Sequence, residues 1–293
     1  MKYTLKNKDL TVIFESFGAT LHSIKDNDGV EYLWQGNPDF WSGQAPVLFP
    51  ICGSLRNDEA EIGDGKKTTM PRHGLVRKKE FKCTEKTGDS ILFEIESNEE
   101  MLEQYPYQFK LGIRYTLEGK KISTRYIIQN KTQETMPFQI GGHPGFCCPL
   151  YADENYEDYE LVFEKDENCT VPTPVTETGL INMEHRREFL NNTDRLQLKH
   201  DLFSIDAVIL DQLKSRAVTL KSKKHNKRIR LDFEEFPYLI LWSTAKEADF
   251  VALEPWIGLS TCSDEGDRFE EKRNVQYAGA GKTKEYEFYI NVL

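Results

Sequence analysis

Several short motifs that carry known chemistries are missing from this 293-residue chain. It has no Cys-x-x-Cys pair and no His-Glu-x-x-His run, so the common zinc-binding patterns are absent. It lacks Gly-x-Ser-x-Gly, which argues against a serine hydrolase of the nucleophile-elbow type. Gly279–Thr283 ends like a phosphate-binding loop, but Gln276 occupies the position of the required first glycine. We therefore expect neither a metal nor a nucleotide cofactor.

Long apolar runs and an excess of basic residues are also missing. The apolar runs, such as Tyr238–Trp242, are too short to span a bilayer, and no signal peptide opens the chain. We expect a cytoplasmic protein whose six cysteines are reduced thiols. Lys and Arg number 38 against 48 Asp and Glu, a formal net charge of −10. That balance argues against a nucleic-acid partner.

What the chain does contain is period-two alternation of apolar and polar residues. In Tyr107–Leu117 every second residue is apolar, a Glu-Gly-Lys-Lys turn follows, and Ile122–Asn130 alternates again. This pattern predicts a β-hairpin. Further hairpins are predicted to turn at Thr87–Asp89 and near Lys224–Asn226. The best short helix candidate is Asn98–Tyr105, with Asn98 as N-cap.

Many strands with frequent turns predict an all-β protein, a large antiparallel β-sandwich. No stretch has the composition of an interdomain linker, so we interpret residues 1–293 as one domain. The least regular region, Tyr151–His200, is interpreted as loops with a strand or two.

Three short stretches each hold a chargeable residue among glycines or prolines, next to apolar or aromatic residues. His73 precedes Gly74, His143 lies in Gly-Gly-His-Pro-Gly-Phe, and Glu254 precedes Pro-Trp at the end of an apolar run. A carboxylate at the end of a buried strand is costly unless partnered, and such burial raises its pKa toward that of a general base. Taken singly, His73 fits a structural histidine and Glu254 a strand-end residue paired with an arginine.

One histidine and one glutamate across a pocket would form an acid–base pair. Phe146 and Trp256, which flank His143 and Glu254, would supply flat apolar faces for the C–H face of a pyranose. The residues therefore indicate acid–base chemistry on a small polyol.

Five segments, in order, resemble the aldose 1-epimerase (galactose mutarotase) family, and its LacX-like branch in particular: FPICGSLRND, PRHGLVR, GGHPGF, DAVIL and LEPWIG. The resemblance spans nearly the whole chain. It implies the galactose mutarotase-like β-supersandwich, and a cofactor-independent mutarotase that interconverts the α and β anomers of an aldose.

The resemblance also implies roles for individual residues. Glu254 would take the proton of the C1 hydroxyl as base, and His143 would protonate the ring oxygen as acid. His73 would hold the substrate and help to polarise the ring oxygen. Asp206 would bind sugar hydroxyls, although a turn or cap residue is an equal reading of that position.

Two segments depart from the galactose-type pattern: Gly53–Asp58, and the HPGF stretch His143–Phe146, which differs from the version in galactose-specific enzymes. Ser54 and Asp58 stand where arginines are expected, with Arg56 as a candidate substitute, which puts galactose specificity in doubt. In hexose-6-phosphate members of the family, arginines near the first histidine hold the phosphate. Arg56, Arg72 and Arg77 could do so here, because arginine binds phosphate with a bidentate fork.

Three function classes stay open at this point. The favoured one is mutarotation of a free or phosphorylated aldose. The second is a non-catalytic carbohydrate-binding or sensing protein on the same scaffold. The last is glycoside hydrolysis by two carboxylates, for which Asp206 and Glu254 are the candidates.

Overall fold

The computed structural model describes all 293 residues, and strands make up most of its regular structure. The first eleven strands are β1 (Lys2–Lys6), β2 (Leu10–Glu15), β3 (Thr20–Asp26), β4 (Val47–Leu48), β5 (Glu59–Ile62), β6 (Lys66–Thr69), β7 (Lys82–Lys86), β8 (Ser90–Glu96), β9 (Phe109–Glu118), β10 (Lys121–Asn130) and β11 (Met136–Phe138). The remaining strands are β12 (Ile140–Gly142), β13 (Gly145–Cys147), β14 (Tyr159–Val175), β15 (Leu180–Gln197), β16 (Val208–Leu210), β17 (Ala217–Ser222), β18 (Arg228–Asp232), β19 (Tyr238–Trp242), β20 (Phe250–Ile257), β21 (Gln276–Ala278) and β22 (Thr283–Val292).

Helical structure is sparse. The predicted short helix is present as α1 (Glu99–Gln104), and the Asn98 side chain caps it by accepting the Met101 N–H at 2.9 Å. Four 3₁₀ turns complete the set: Arg56–Asp58, Tyr156–Asp158, His200–Phe203 and Phe269–Glu271. No helix of the chain has the length and apolar character needed to cross a membrane.

The strands form antiparallel sheets, which confirms the predicted fold class. A nine-stranded sheet has the order β15-β14-β17-β18-β22-β10-β9-β8-β7. A six-stranded sheet has the order β16-β19-β20-β12-β4, with β13 also paired to β20. A three-stranded sheet (β1-β2-β3) and two small pairs (β5-β6 and β11-β21) complete the architecture. The predicted hairpins correspond to β7–β8, β9–β10 and β17–β18.

The region from Tyr151 to His200 is more regular than the sequence indicates. It folds as β14 and β15, two paired strands of 17 and 18 residues. Their pairing contains several register shifts. Each β-bulge inserts a residue and moves the following side chains to the other face of the sheet. Strict alternation is therefore lost from the sequence although the strands are long.

Strand alternation decides what the six-stranded sheet presents on each side. Leu239, Leu241 and Leu253 point into the main core, a cluster of 67 buried residues that runs from Leu5 to Val292. Ile240 and Trp256 belong to a separate apolar cluster of nine residues. Because successive side chains of a strand point to opposite faces, β19 and β20 contribute to both.

Candidate active site

The floor of the main pocket is the face of β19 and β20 that turns away from the core. Ile240 lies opposite Glu254, and Tyr238 lies opposite Trp256 in the antiparallel register. Glu254 is only 1% exposed because its strand neighbours are buried and its own side chain faces this pocket. The alternation of β20 thus carries a carboxylate into the interior without placing it in the apolar core.

His143 directly follows β12, the strand beside β20. Gly141 pairs with Trp256, so the next residues of the chain run back along β20 toward Glu254. The His143 N–H donates to the carbonyl of Pro46 at 3.1 Å. The result is a separation of 3.4 Å between His143 Nε2 and Glu254 Oε2. The structure therefore brings the predicted acid and base into contact.

His73 reaches the same pocket from a tight turn that has left-handed backbone at both His73 (φ 68°) and Gly74 (φ 75°). A Cβ on Gly74 would lie 2.2 Å from the Phe49 carbonyl oxygen, so no other residue fits there. His73 N–H donates to Gly53 O at 2.7 Å, and Gly53 N–H donates to His73 Nδ1 at 3.1 Å. With Nδ1 as acceptor, the neutral imidazole carries its hydrogen on Nε2.

The pocket has a volume of about 250 Å³ and two unlike walls. The polar wall consists of Arg72, His73, Arg77, His143, Asp206 and Glu254. The apolar wall consists of Pro174, Leu180, Ile181, Ala207, Ile209 and Ile240. Trp41, Trp242 and Trp256 supply aromatic surface. The mixture of apolar surface with a few convergent polar groups is typical of a small-molecule site.

Unsatisfied polar atoms are concentrated in this pocket. Seven buried side-chain polar atoms of the whole chain have no hydrogen-bond partner. Three of them, His143 Nδ1, Glu254 Oε2 and Trp256 Nε1, belong to residues that line the pocket. Buried polar atoms are normally paired, so such a concentration indicates a site that a polar ligand completes.

The electrostatic environment favours uncharged forms of the three titratable residues at the centre. Burial raises the pKa of Glu254 well above its usual value, and the charge of Asp206 acts in the same direction. Burial lowers the pKa of His143 to about 3, assisted by the charge of Arg77. Burial also lowers the pKa of His73, with further contributions from His143, Arg77 and Arg72. Perturbed pKa values in a cleft are typical of functional sites.

Six of the eight predicted site residues line the pocket: His73, Arg77, His143, Asp206, Glu254 and Trp256. Asp206 also accepts the N–H of Ala207 at 2.8 Å. Arg72, named as a possible phosphate ligand, lines the pocket too.

Two predicted residues lie elsewhere. Phe146 is fully buried on β13 within the main core, so it has no face to offer a sugar. Arg56 lies outside the pocket, where its guanidinium pairs with Asp267 at 2.5 Å and donates to the carbonyl of Glu265 at 3.0 Å. Those partners are more than 200 positions away in the sequence, which is why sequence reasoning could not see them.

Sequence reasoning missed the apolar wall of the pocket and two of its aromatic residues, Trp41 and Trp242. Trp41 lies in an irregular segment with no periodicity to mark it. Trp242 ends the apolar strand β19, and its place two residues after Ile240 was the available signal, because the two share a strand face.

Comparison with known proteins agrees with the fold. The chain belongs to the aldose 1-epimerase family, whose family model matches residues 1–272. Two forms of Protein LacX from Lactococcus lactis subsp. lactis, plasmid and chromosomal, are each 49% identical to it over 298 residues, with complete coverage of both chains.

Solved structures show the same architecture. A galactose mutarotase related enzyme from Lactobacillus acidophilus superimposes with a TM-score of 0.93 at 31% identity, covering 100% of this chain and 97% of the other. A galactose mutarotase-like protein from Lactobacillus casei gives a TM-score of 0.88 at 30% identity, with both chains fully covered. The predicted galactose mutarotase-like fold is thereby confirmed.

Proposed function

We propose that this protein is an aldose 1-epimerase that needs no cofactor and interconverts the α and β anomers of an aldose by acid–base ring opening. Glu254 takes the proton of the C1 hydroxyl while His143 gives a proton to the ring oxygen, and the C1–O5 bond breaks. Rotation about the C1–C2 bond presents the other face of the aldehyde. Closure then runs the same proton transfers backwards. His73 donates from Nε2 to the substrate, and Asp206 accepts from sugar hydroxyls.

The observation that carries this proposal is the contact between a buried acid–base pair inside a ligand-sized pocket. His143 Nε2 and Glu254 Oε2 are 3.4 Å apart, yet the carboxylate oxygen has no hydrogen-bond donor. A pair that served only stability would satisfy both groups. A binding protein without catalysis has no need to keep an acid beside a base.

The proton count of the pair fits the chemistry. Because the two groups are in contact, they titrate as one unit. Before ring opening the one proton of the pair is on His143 and Glu254 is ionised. After ring opening His143 is neutral and Glu254 holds the proton taken from the C1 hydroxyl. Activity therefore requires one proton on the pair. It is lost on the acid side when a second proton binds and on the alkaline side when the first one leaves.

Magnetisation-exchange NMR between the α and β anomeric protons tests the proposal directly. A panel of free and 6-phosphorylated aldoses would be measured with the wild-type chain and with Glu254→Gln. We expect faster exchange for at least one sugar and its loss in the variant. A sugar that binds without any acceleration of exchange would support the sensing alternative and contradict catalysis. Glycoside cleavage with the same variant dependence would instead support hydrolysis.

The two pocket arginines favour a phosphorylated aldose as a second candidate substrate. Neither Arg72 nor Arg77 makes an ion pair with a carboxylate, although acidic residues outnumber basic ones in the chain. Arg72 Nε donates to Ser54 Oγ at 2.9 Å, and its guanidinium lies against the backbone of Gly179, where a Cβ would come within 1.9 Å of Nη2. Two guanidinium groups that lack a carboxylate partner and line one pocket suit a phosphate monoester.

Arg72→Met and Arg77→Met would separate the two substrate classes. If a phosphorylated aldose is the substrate, each variant should raise its KM by at least about tenfold while leaving free aldoses much less affected. Arg56→Met is the matched control, because Arg56 is held by Asp267 outside the pocket. Equal KM changes for free and phosphorylated sugars would exclude a phosphate subsite at these arginines.

A further inference from the structure

Trp41 has no role in the proton transfers, yet it packs directly on the proposed acid. Its ring stacks on the His143 imidazole with centroids 4.8 Å apart and planes 27° from parallel. Trp242 meets both rings edge-on, at 5.5 Å from His143 and 5.3 Å from Trp41. Two indoles therefore pack against the imidazole: Trp41 covers one of its faces, and Trp242 contacts it edge-on.

The segment 35–46 fixes Trp41 by backbone and packing together. The Trp41 N–H donates to Asn37 O at 2.8 Å, and its carbonyl accepts the Trp34 Nε1–H at 2.8 Å. Phe250 stacks on the indole at 5.2 Å. Two glycines make room for the ring, because a Cβ at Gly43 would lie 2.7 Å from it and one at Gly145 would lie 2.8 Å from it. These contacts therefore hold the indole in one well-defined position.

A general-acid histidine normally needs a third group to orient its ring, most often a hydrogen-bond acceptor at the second ring nitrogen. His143 Nδ1 has no hydrogen-bond partner. Rotation about χ2 of histidine is broad and only weakly restricted by its own covalent structure. Something other than a hydrogen bond must hold Nε2 toward Glu254.

We infer that Trp41 is a positioning residue for His143. The stacked indole of Trp41 sets the plane of the imidazole and excludes water from the imidazole face that it covers. The inference rests on the proposed function, in which His143 transfers the proton. Aromatic stacking of this kind contributes specific geometry beyond simple burial. It takes the place of the orienting hydrogen bond that Nδ1 lacks.

The charged and titratable groups around His143 would remain when Trp41 is changed. They are Glu254 on β20, His73 in the 71–74 turn with its ring centroid 5.7 Å away, and Arg77. Trp41 and Trp242 contribute no charge. A smaller side chain at position 41 would therefore admit water to the imidazole and raise the pKa of His143 toward that of an ordinary histidine.

The test compares Trp41→Leu and Trp41→Phe with Phe40→Leu, a change at the neighbouring exposed residue of the same segment. Two quantities are measured: anomeric exchange for kcat and KM, and the titration of the His143 imidazole by ¹⁵N NMR. In Trp41→Leu we expect kcat to fall about 10- to 100-fold with KM within about twofold, and the His143 titration to move to higher pH. Trp41→Phe should restore most of both, and Phe40→Leu should change neither.

Gly145→Ala gives an independent route if Trp41→Leu does not fold. Its Cβ would push the Trp41 ring, 2.8 Å away, and should change kcat and the His143 titration in the same direction. An unchanged His143 titration in the folded variants, or a loss of thermal stability with kcat intact, would overturn the positioning role. If the wild-type chain accelerates no exchange, the proposed function fails, while the NMR titration still decides whether Trp41 controls His143.

Discussion

The His225–Glu154 pair and the His143–Glu254 pair have similar separations, 3.2 Å and 3.4 Å between Nε2 and Oε2, but different surroundings. Glu154 also accepts hydrogen bonds from Ser222 Oγ at 2.9 Å and from the hydroxyl of Tyr159. The Lys227 N–H donates to His225 Nδ1 at 3.1 Å. In the other pair, His143 Nδ1 and Glu254 Oε2 have no hydrogen-bond partner at all.

The comparison separates two uses of the same residue types. A polar network whose members are all paired makes the surrounding structure rigid and specific. Buried polar atoms left unpaired cost free energy, so a chain keeps them where a ligand completes them. The network around Glu154 ties β14 and β17 to the turn before β18, whereas Glu254 faces the pocket. Geometry of the pair alone would not distinguish them.

The largest expected effect is on catalysis by Glu254→Gln. The amide keeps the shape of the side chain but cannot accept the C1 hydroxyl proton, so kcat should fall by about 10²–10⁴-fold, the usual contribution of a general base. Glu154→Gln is the matched control and should retain kcat. Anomeric exchange measures activity, and sugar binding can be followed by intrinsic fluorescence, because three of the four tryptophans line the pocket. Equal losses in the two variants would remove the functional distinction between the pairs.

The next effect is the acid sensitivity that His143 gives to the fold. The pKa of His143 is lowered to about 3 in the folded chain, whereas a histidine in the unfolded chain has a pKa of about 6.5. Between these values the unfolded state binds more protons, so stability is present above pH 6.5 and is lost as pH falls toward 3, at up to about 1.4 kcal/mol per pH unit. His143→Gln should flatten this slope. Urea unfolding at pH 4, 5 and 7 measures it, and parallel slopes in both proteins would contradict the assigned environment.

A smaller effect is expected on stability at the paired network. Glu154→Gln replaces an acceptor by an amide, so Tyr159, His225 and Ser222 cannot all keep their hydrogen bonds to it. Leaving one buried partner unsatisfied costs about 1–3 kcal/mol. The free energy of unfolding should fall by that amount at neutral pH. A variant as stable as the wild type would show that the network adds little to folding.

The sequence was most informative where local rules decide the structure. The β9–β10 hairpin was predictable because its side chains alternate without interruption across a short turn that contains Gly119. The β14–β15 pair was underestimated because its bulges disrupt that alternation. Bulge positions depend on pairing with the neighbouring strand, which a single sequence does not display.

The residues of the site also divide into those that local sequence rules indicate and those that tertiary packing sets. His73, His143 and Glu254 were identifiable because a chargeable residue beside glycine or proline at a strand end is unusual in itself. Phe146 is close to His143 along the chain, but on β13 its side chain points into the main core. Trp41 stacks on His143 although it lies 102 positions earlier in the chain. Neighbours of that kind are set by tertiary packing.

The smallest expected effect is a gain of stability in Glu254→Gln. Burial raises the pKa of Glu254 in the folded chain, so the native state favours the protonated carboxyl, and its contribution is lost as pH rises from the unfolded value through the folded one. A neutral amide does not have this loss. The variant should be more stable than the wild type at pH 8, and the difference should shrink toward pH 4.5. Urea midpoints across this range measure it. If Glu254→Gln is destabilised, Glu254 is a structural residue like Glu154. If the variant is more stable but inactive, Glu254 is a buried base that is kept for catalysis at a cost in stability.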